Sequence, residues 1–213
     1  MKELGHQFVL GENINDAITR GIAQEKAGFT YSYDMLGEAA LTAADAKEFF
    51  EAYRDAIWSL SDHATHENVR ENPGISIKLS ALHPRYEMSQ RERVLKELVP
   101  RVTELAQIAK QAHMGLNIDA EEADRLDLSL DVIEAVLRAP EFAGWDGFGV
   151  VVQAYGKRAA AIIDWLYALS TELDRNIMVR LVKGAYWDME IKQSQVDGVQ
   201  DFPVFTSLSL IHI

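Results

Sequence analysis

Five short apolar runs, each followed by a helical pattern, restrict this chain to very few folds. The runs are FTYSYDML, ISIKLSAL, GLNID, GFGVVVQA and IMVRLVKG, starting near residues 29, 75, 115, 148 and 177. Strands that reach the next strand only through a helix lie parallel in one sheet. Two α/β architectures fit: a doubly wound sheet, or a (β/α)8 TIM-like barrel of which about five of eight units are present. No G-x-G-x-x-G follows any run, which weakens the nucleotide-binding doubly wound option without removing it.

The intervening segments carry helix signals. A first helix is expected from about Asn13 to Lys26, with Gly28 as its C′ residue. Thr42 and Asp45 predict a capping box, and Phe49, Tyr53, Ile57 and Leu60 a buried stripe. Ser89 with Glu92 predicts the next start, with Leu95, Leu98, Val102, Leu105 and Ile108 inward and Pro100 expected to kink or split the helix. Leu126, Leu130, Ile133 and Leu137, then Ile162, Ile163, Leu166 and Leu169, predict two more buried faces, and AYWDMEIKQ begins a last helix.

With 48 % hydrophobic residues among 213, the chain can build a sizeable core. Its net charge of -12 argues against a nucleic-acid partner through this segment, since phosphate contacts need clustered cations. It leaves room for one anionic ligand in a local basic pocket. The chain contains no cysteine, so disulfides, thiolate zinc sites and cysteine nucleophiles are excluded. No apolar core follows Lys2 as in a signal peptide, and no run approaches the roughly 18–20 residues of a membrane helix. A cytoplasmic location is expected.

Side chains alternate between the faces of a strand. Applied here, Ile75, Ile77 and Leu79 oppose Ser76, Lys78 and Ser80; Leu116 and Ile118 oppose Asn117 and Asp119. Val150 and Val152 oppose Val151 and Gln153; Ile177, Val179 and Leu181 oppose Met178, Arg180 and Val182. One face is wholly apolar and the other carries Lys78, Asp119, Gln153 and Arg180. Unpaired, such buried charges cost several kcal/mol each, so they pair with one another, as Lys78–Asp119 can, or with water or a ligand. In a barrel the strand ends that carry them are where catalytic groups sit.

Weaker signals accompany these. Asp119, Glu121, Glu122 and Asp124 could hold a divalent cation, although a solvated helix N-terminus explains all but Asp119. His63 and His66 read as solvated residues with no third ligand. Tyr186 and Trp187 look exposed at a strand-to-helix turn, suited either to core packing or to stacking on a planar ligand. Lys78 or Lys183, at strand ends, could also serve a Schiff-base lyase.

SYDMLGEAALT, SIKLSALHPRY, GLNIDAEEADRLDLSLD, VVQAYGKRA and RLVKGAYWDMEIK, in this order, resemble successive motifs of the proline dehydrogenase domain of the proline utilization A flavoenzymes. GHQFVLGENINDAI resembles the segment leading into that domain, so the resemblance runs from about Gly5 to Thr206. It implies a distorted (β/α)8 barrel with FAD bound non-covalently at the strand C-termini. It implies hydride transfer from C5 of L-proline to flavin N5, giving Δ1-pyrroline-5-carboxylate. A quinone would be the electron acceptor, and the parent protein would make peripheral contact with the inner membrane. By the same resemblance Arg180 and Asp119 are catalytic, and Lys78, Glu38 and Tyr186 bind substrate. Ala120, Gln153, Arg180, Lys183, Gly184, Ala185 and Trp187 line the cofactor site, and no metal is implied. Glu38 matches a residue that pairs with a substrate-binding arginine.

The family's remaining three strands, a Thr-His pair for FAD, a last helix with two carboxylate-binding arginines and an aldehyde dehydrogenase domain have no counterpart in these 213 residues. The expected division is a lead-in segment and helix over 1–28, a partial proline dehydrogenase barrel over 29–206, and a non-native tail over 207–213. The hexapeptide LSLIHI that ends the tail is encoded by CTG-TCT-CTT-ATA-CAC-ATC. That DNA resembles the mosaic-end adapter of transposase-based sequencing libraries. The chain by itself is expected to be inactive, either as a piece of the enzyme or as a fragment with no site of its own.

Overall fold

The computed structural model describes residues 9–207; the hexapeptide LSLIHI and the first part of the lead-in segment lie outside them. Helix α1 spans Ile14–Glu25, capped by Asn13, whose side chain accepts from the Asp16 amide. The strands are β1 (Ser32–Asp34), β2 (Gly74–Ile77), β3 (Gly115–Ile118), β4 (Phe148–Gln153) and β5 (Met178–Val182). Between and after them run α2 (Ala43–Ser61), α3 (Arg91–Gln111), α4 (Leu126–Leu137), α5 (Ala159–Glu172) and α6 (Trp187–Val196).

All neighbouring strands pair in parallel and the sheet order is β1-β2-β3-β4-β5. Strand order never reverses, so there is no topological switch point of the doubly wound kind. With right-handed crossovers, a sheet built in chain order carries its crossover helices on one side. This is the arrangement of an incomplete β/α barrel, as the sequence predicts.

The core lies between the apolar sheet face and those helices. Ile75, Ile77, Leu116, Ile118, Phe148 and Val152 from the sheet are buried, as are Tyr53, Ile57 and Leu60 from α2. The capping box of α2 forms as its sequence predicts: the Thr42 hydroxyl accepts from the Asp45 amide, and the Asp45 carboxylate from the Thr42 amide.

Local expectations fail at several places. Helix α3 is capped at Gln90 without a side-chain bond, because a 3-10 turn over Met88–Gln90 displaces the Ser89 start. It continues as one helix past Pro100, which therefore does not split it. Helix α4 buries Leu128, Val132 and Val136 beside Ile133 and Leu137, while Leu126 and Leu130 are only half-buried. Ile163 is exposed on α5. At the β5 edge, Val179 is 43 % and Leu181 59 % exposed, so the apolar face of that strand has no cover among the described residues.

Candidate active site

The polar face of the sheet converges on one carboxylate. Lys78 follows β2 in extended conformation and so continues the alternation of Ser76. Asp119 follows β3, its amide bonded to the Ile77 carbonyl at 2.9 Å, which sets it level with the end of β2. Lys78 Nζ donates to Asp119 Oδ2 at 2.8 Å, and Arg180 Nη2 donates to Asp119 Oδ1 at 2.7 Å. Arg180 reaches this point from β5, past its register partner Val151 on β4.

Lys78 has a second partner absent from the sequence reading, Asp34, whose Oδ1 accepts from Nζ at 2.9 Å. Asp34 sits opposite Ser76 in the β1–β2 register. The alternation that exposed the other candidates would have found it: Ser32 and Asp34 share a face, with Tyr33 buried on the other.

Beneath the charges lies a neutral polar layer. Ser32 and Ser76 hydroxyls are 3.1 Å apart, Asn117 Nδ2 donates to Ser32 Oγ at 3.2 Å, and Arg180 Nη1 donates to Ser76 Oγ at 3.3 Å. A Cβ at position 149 would collide with the Asn117 amide oxygen, so Gly149 makes room for this layer.

The electrostatics follow from burial and pairing. Burial pulls the Lys78 ammonium down, but hydrogen bonds and charge from Asp119 and Asp34 outweigh it and hold the pKa above the ordinary lysine value. Burial pushes the Asp119 carboxyl up, opposed by Lys78 and Arg180. Arg180 Nε is buried with no hydrogen-bond partner among the described residues.

A second cluster forms where β4 and β5 end. Gln153 donates to the Glu121 carbonyl at 2.9 Å, and its Oε1 accepts from Tyr155 OH at 2.8 Å and from the Ala185 amide at 3.0 Å. Gly184 has φ +120°, and a Cβ there would run into the Tyr155 ring. Its glycine is therefore required by packing within the chain. Lys183 is exposed and has no ion-pair partner among the described residues. Ala120 lines a cavity of about 150 Å³ between the β3 and β4 ends and α4.

The exposed appearance of Tyr186 is corrected: it is buried, its hydroxyl donating to Glu38 Oε2 at 3.2 Å across 148 residues. Burial first, then the Glu38 charge, raises its pKa. Trp187 is half-buried, its indole N–H donating to the Phe205 carbonyl at 2.8 Å beside Tyr155 and Val204. The acidic cluster is also corrected. Glu121 is not solvated: it accepts from the Ser80 amide at 3.0 Å and pairs with Arg125 at 3.2 Å. His66 is exposed and faces Glu71.

A family model for proline dehydrogenase matches residues 17–212. The chain belongs to the proline dehydrogenase family. Within that family it is similar to the bifunctional protein PutA of Escherichia coli (strain K12), 52 % identical over 206 residues, which cover 97 % of this chain and 16 % of that protein. A crystal structure of a Bradyrhizobium japonicum PutA mutant superposes with TM-score 0.87 at 54 % identity, covering 96 % of this chain and 21 % of the other. PutA from Bdellovibrio bacteriovorus, inactivated by N-propargylglycine, superposes with TM-score 0.90 at 25 % identity over 99 % of this chain and 23 % of its own. The sequence thus spans a small part of the relatives' length.

Proposed function

We propose that residues 29–206 are the first five β/α units of a barrel that oxidises L-proline to Δ1-pyrroline-5-carboxylate, the first step of proline catabolism to glutamate. Residues 1–28 lead into the barrel and residues 207–213 are a non-native tail. The observation that carries the reading is the Lys78–Asp119–Arg180 array, two residues just past the C-terminal ends of β2 and β3 and one from the middle of β5, in a chain of the proline dehydrogenase family.

The residues fit a non-covalent FAD. Among the described residues Arg180 presents a buried Nε with no partner, and Lys183, just past the end of the same strand, has no ion-pair partner. When bound, FAD supplies the two-electron acceptor for hydride leaving C5 of L-proline. Arg180, fixed by Asp119, places positive charge where negative charge accumulates, at no cost in reorganisation. Lys78 is a carboxylate partner for the substrate. Glu38 and Tyr186 close the substrate side, and Ala120, Gln153, Gly184, Ala185 and Trp187 the cofactor side. Electrons pass to a quinone from a cytoplasmic protein in peripheral contact with the inner membrane. A Schiff-base lyase acting through Lys78 is disfavoured, because an ammonium donating to two carboxylates has no free electron pair for attack.

The 213-residue chain alone is proposed to be inactive. Among the described residues, its β5 edge leaves Val179 and Leu181 open to water and backbone groups along the strand unpaired. A soluble monomer of this chain that co-purifies with stoichiometric flavin and oxidises proline would contradict this. For the complete protein encoded by the source gene, the test is trapping of Δ1-pyrroline-5-carboxylate with o-aminobenzaldehyde during turnover of L-proline with a soluble quinone. Formation of the adduct is expected; its absence from a folded, flavin-loaded protein would overturn the assignment.

A further inference from the structure

We propose that Asp34 is a positioning residue for Lys78: it fixes the ammonium against β1 and keeps it a protonated cation with one N–H left for a ligand carboxylate. The inference rests on the proposed role of Lys78 as carboxylate partner.

An ammonium has three donors. Among the described residues, two are taken, by Asp34 Oδ1 at 2.9 Å and Asp119 Oδ2 at 2.8 Å. Two fixed acceptors at a tetrahedral nitrogen determine where the third hydrogen points. The Lys78 side chain is 15 % exposed, so a flexible surface lysine has become a fixed one.

Charge balance adds to this. Lys78 and Arg180 face Asp34 and Asp119, two cations against two carboxylates. The other group against Lys78 is Tyr53 of α2, whose hydroxyl accepts from the Lys78 amide at 3.2 Å and whose own pKa burial pushes up to about 12, so it stays neutral. With Asp34 neutralised, Asp119 alone would serve two cations. Burial and repulsion from Arg180 would then both favour loss of the Lys78 proton.

Asp34 lies on the opposite side of Lys78 from Asp119, and its side chain is 43 % exposed, so the substitution Asp34→Asn is compatible with folding. The experiment is acetylation of Lys78 by a water-soluble succinimidyl ester, read by peptide mass spectrometry across about pH 7–10. It uses the complete encoded protein, with Lys96, exposed on α3 and away from the site, as internal reference. In the unaltered protein Lys78 should label far more slowly than Lys96. In Asp34→Asn its rate relative to Lys96 should rise at least about tenfold, the effect of one pKa unit below the midpoint, and its pH dependence should move to lower pH. Asp34→Glu, which keeps the charge, should restore protection. Unchanged Lys78 labelling and pH dependence in Asp34→Asn would overturn the proposal, as would labelling in Asp34→Glu equal to that in Asp34→Asn. Labelling does not depend on turnover: the expected pattern in a protein inert toward proline would refute the proposed function and leave the role of Asp34 intact.

Discussion

Arg180 on β5 reaches past β4 to donate to Asp119 at the end of β3, at 2.7 Å. Lys78 holds the other oxygen of the same carboxylate. One buried acid thereby joins the C-terminal ends of β2 and β3 to the middle of β5 and holds two cations on one face of the sheet.

The two cations should fail differently. In the complete protein, Arg180→Met should lower kcat by roughly 10²–10³, the usual loss for one preorganised electrostatic donor. Lys78→Ala should raise the apparent KM for proline at least about tenfold, as expected for a lost charge-assisted hydrogen bond, with a smaller effect on kcat. Steady-state kinetics separate the two; wild-type values in both variants would show that the site is elsewhere.

Tyr186 and Glu38 tie the loop before α2 to the turn after β5. Tyr186→Phe removes that bond and nothing else of comparable size, at a cost of about 0.5–1.5 kcal/mol. Amide exchange should quicken across residues 36–38, while the Ala39 amide, bonded to Ser80 Oγ at 3.0 Å, and the Ala40 amide, bonded to the Ser80 carbonyl at 2.9 Å, stay protected. Equal protection of the whole loop in the variant would mean that the bond does not hold it.

Gly184→Ala places a methyl group in the Tyr155 ring at φ +120°. The backbone strain alone is of order 1–3 kcal/mol, and the clash adds to it. Denaturant melts should show that loss, and the loss should be smaller when Gly184→Ala is made in a Tyr155→Ala background, where the ring it meets is gone.

His83 should give an acid-sensitive stability. It is buried, its Nδ1 accepting from the Arg85 amide at 3.1 Å and its Nε2 lying 3.2 Å from Glu97. Burial holds its pKa below the ordinary value despite the pull of Glu97. The unfolded chain therefore takes up its proton first, near pH 6.5. Stability from this group is complete above that pH and is lost as pH falls toward the lower folded value. Urea melts at about pH 7.5 and 5.5, which bracket the free imidazole, should show less decline in His83→Gln than in the unaltered protein; identical declines would remove His83 as the cause.

Much of this was readable in the sequence where the signal is local. The Thr42–Asp45 box needs only residues three apart, and the faces of β2 to β5 follow from strict alternation. The face of α4 was not readable, because Leu126, Leu128, Leu130, Val132, Ile133 and Val136 offer two offset stripes and only the sheet beneath chooses between them. Ser89 failed as a cap because a 3-10 turn over Met88–Gln90, indistinguishable from a helix start by composition, precedes α3. The Tyr186–Glu38 bond spans 148 residues, and no periodicity reports such a contact. Asp34 was readable, through alternation in β1, but that strand has three residues and gives little pattern to read.

The most direct test of the account is anaerobic addition of L-proline to the complete purified protein, with visible flavin absorbance followed. A yellow protein is expected whose flavin bleaches on addition of L-proline, with an Arg180→Met variant that bleaches more slowly by roughly the factor lost in kcat, about 10²–10³. A flavin-loaded protein that L-proline does not bleach, or an Arg180→Met variant bleaching at the wild-type rate, would contradict it.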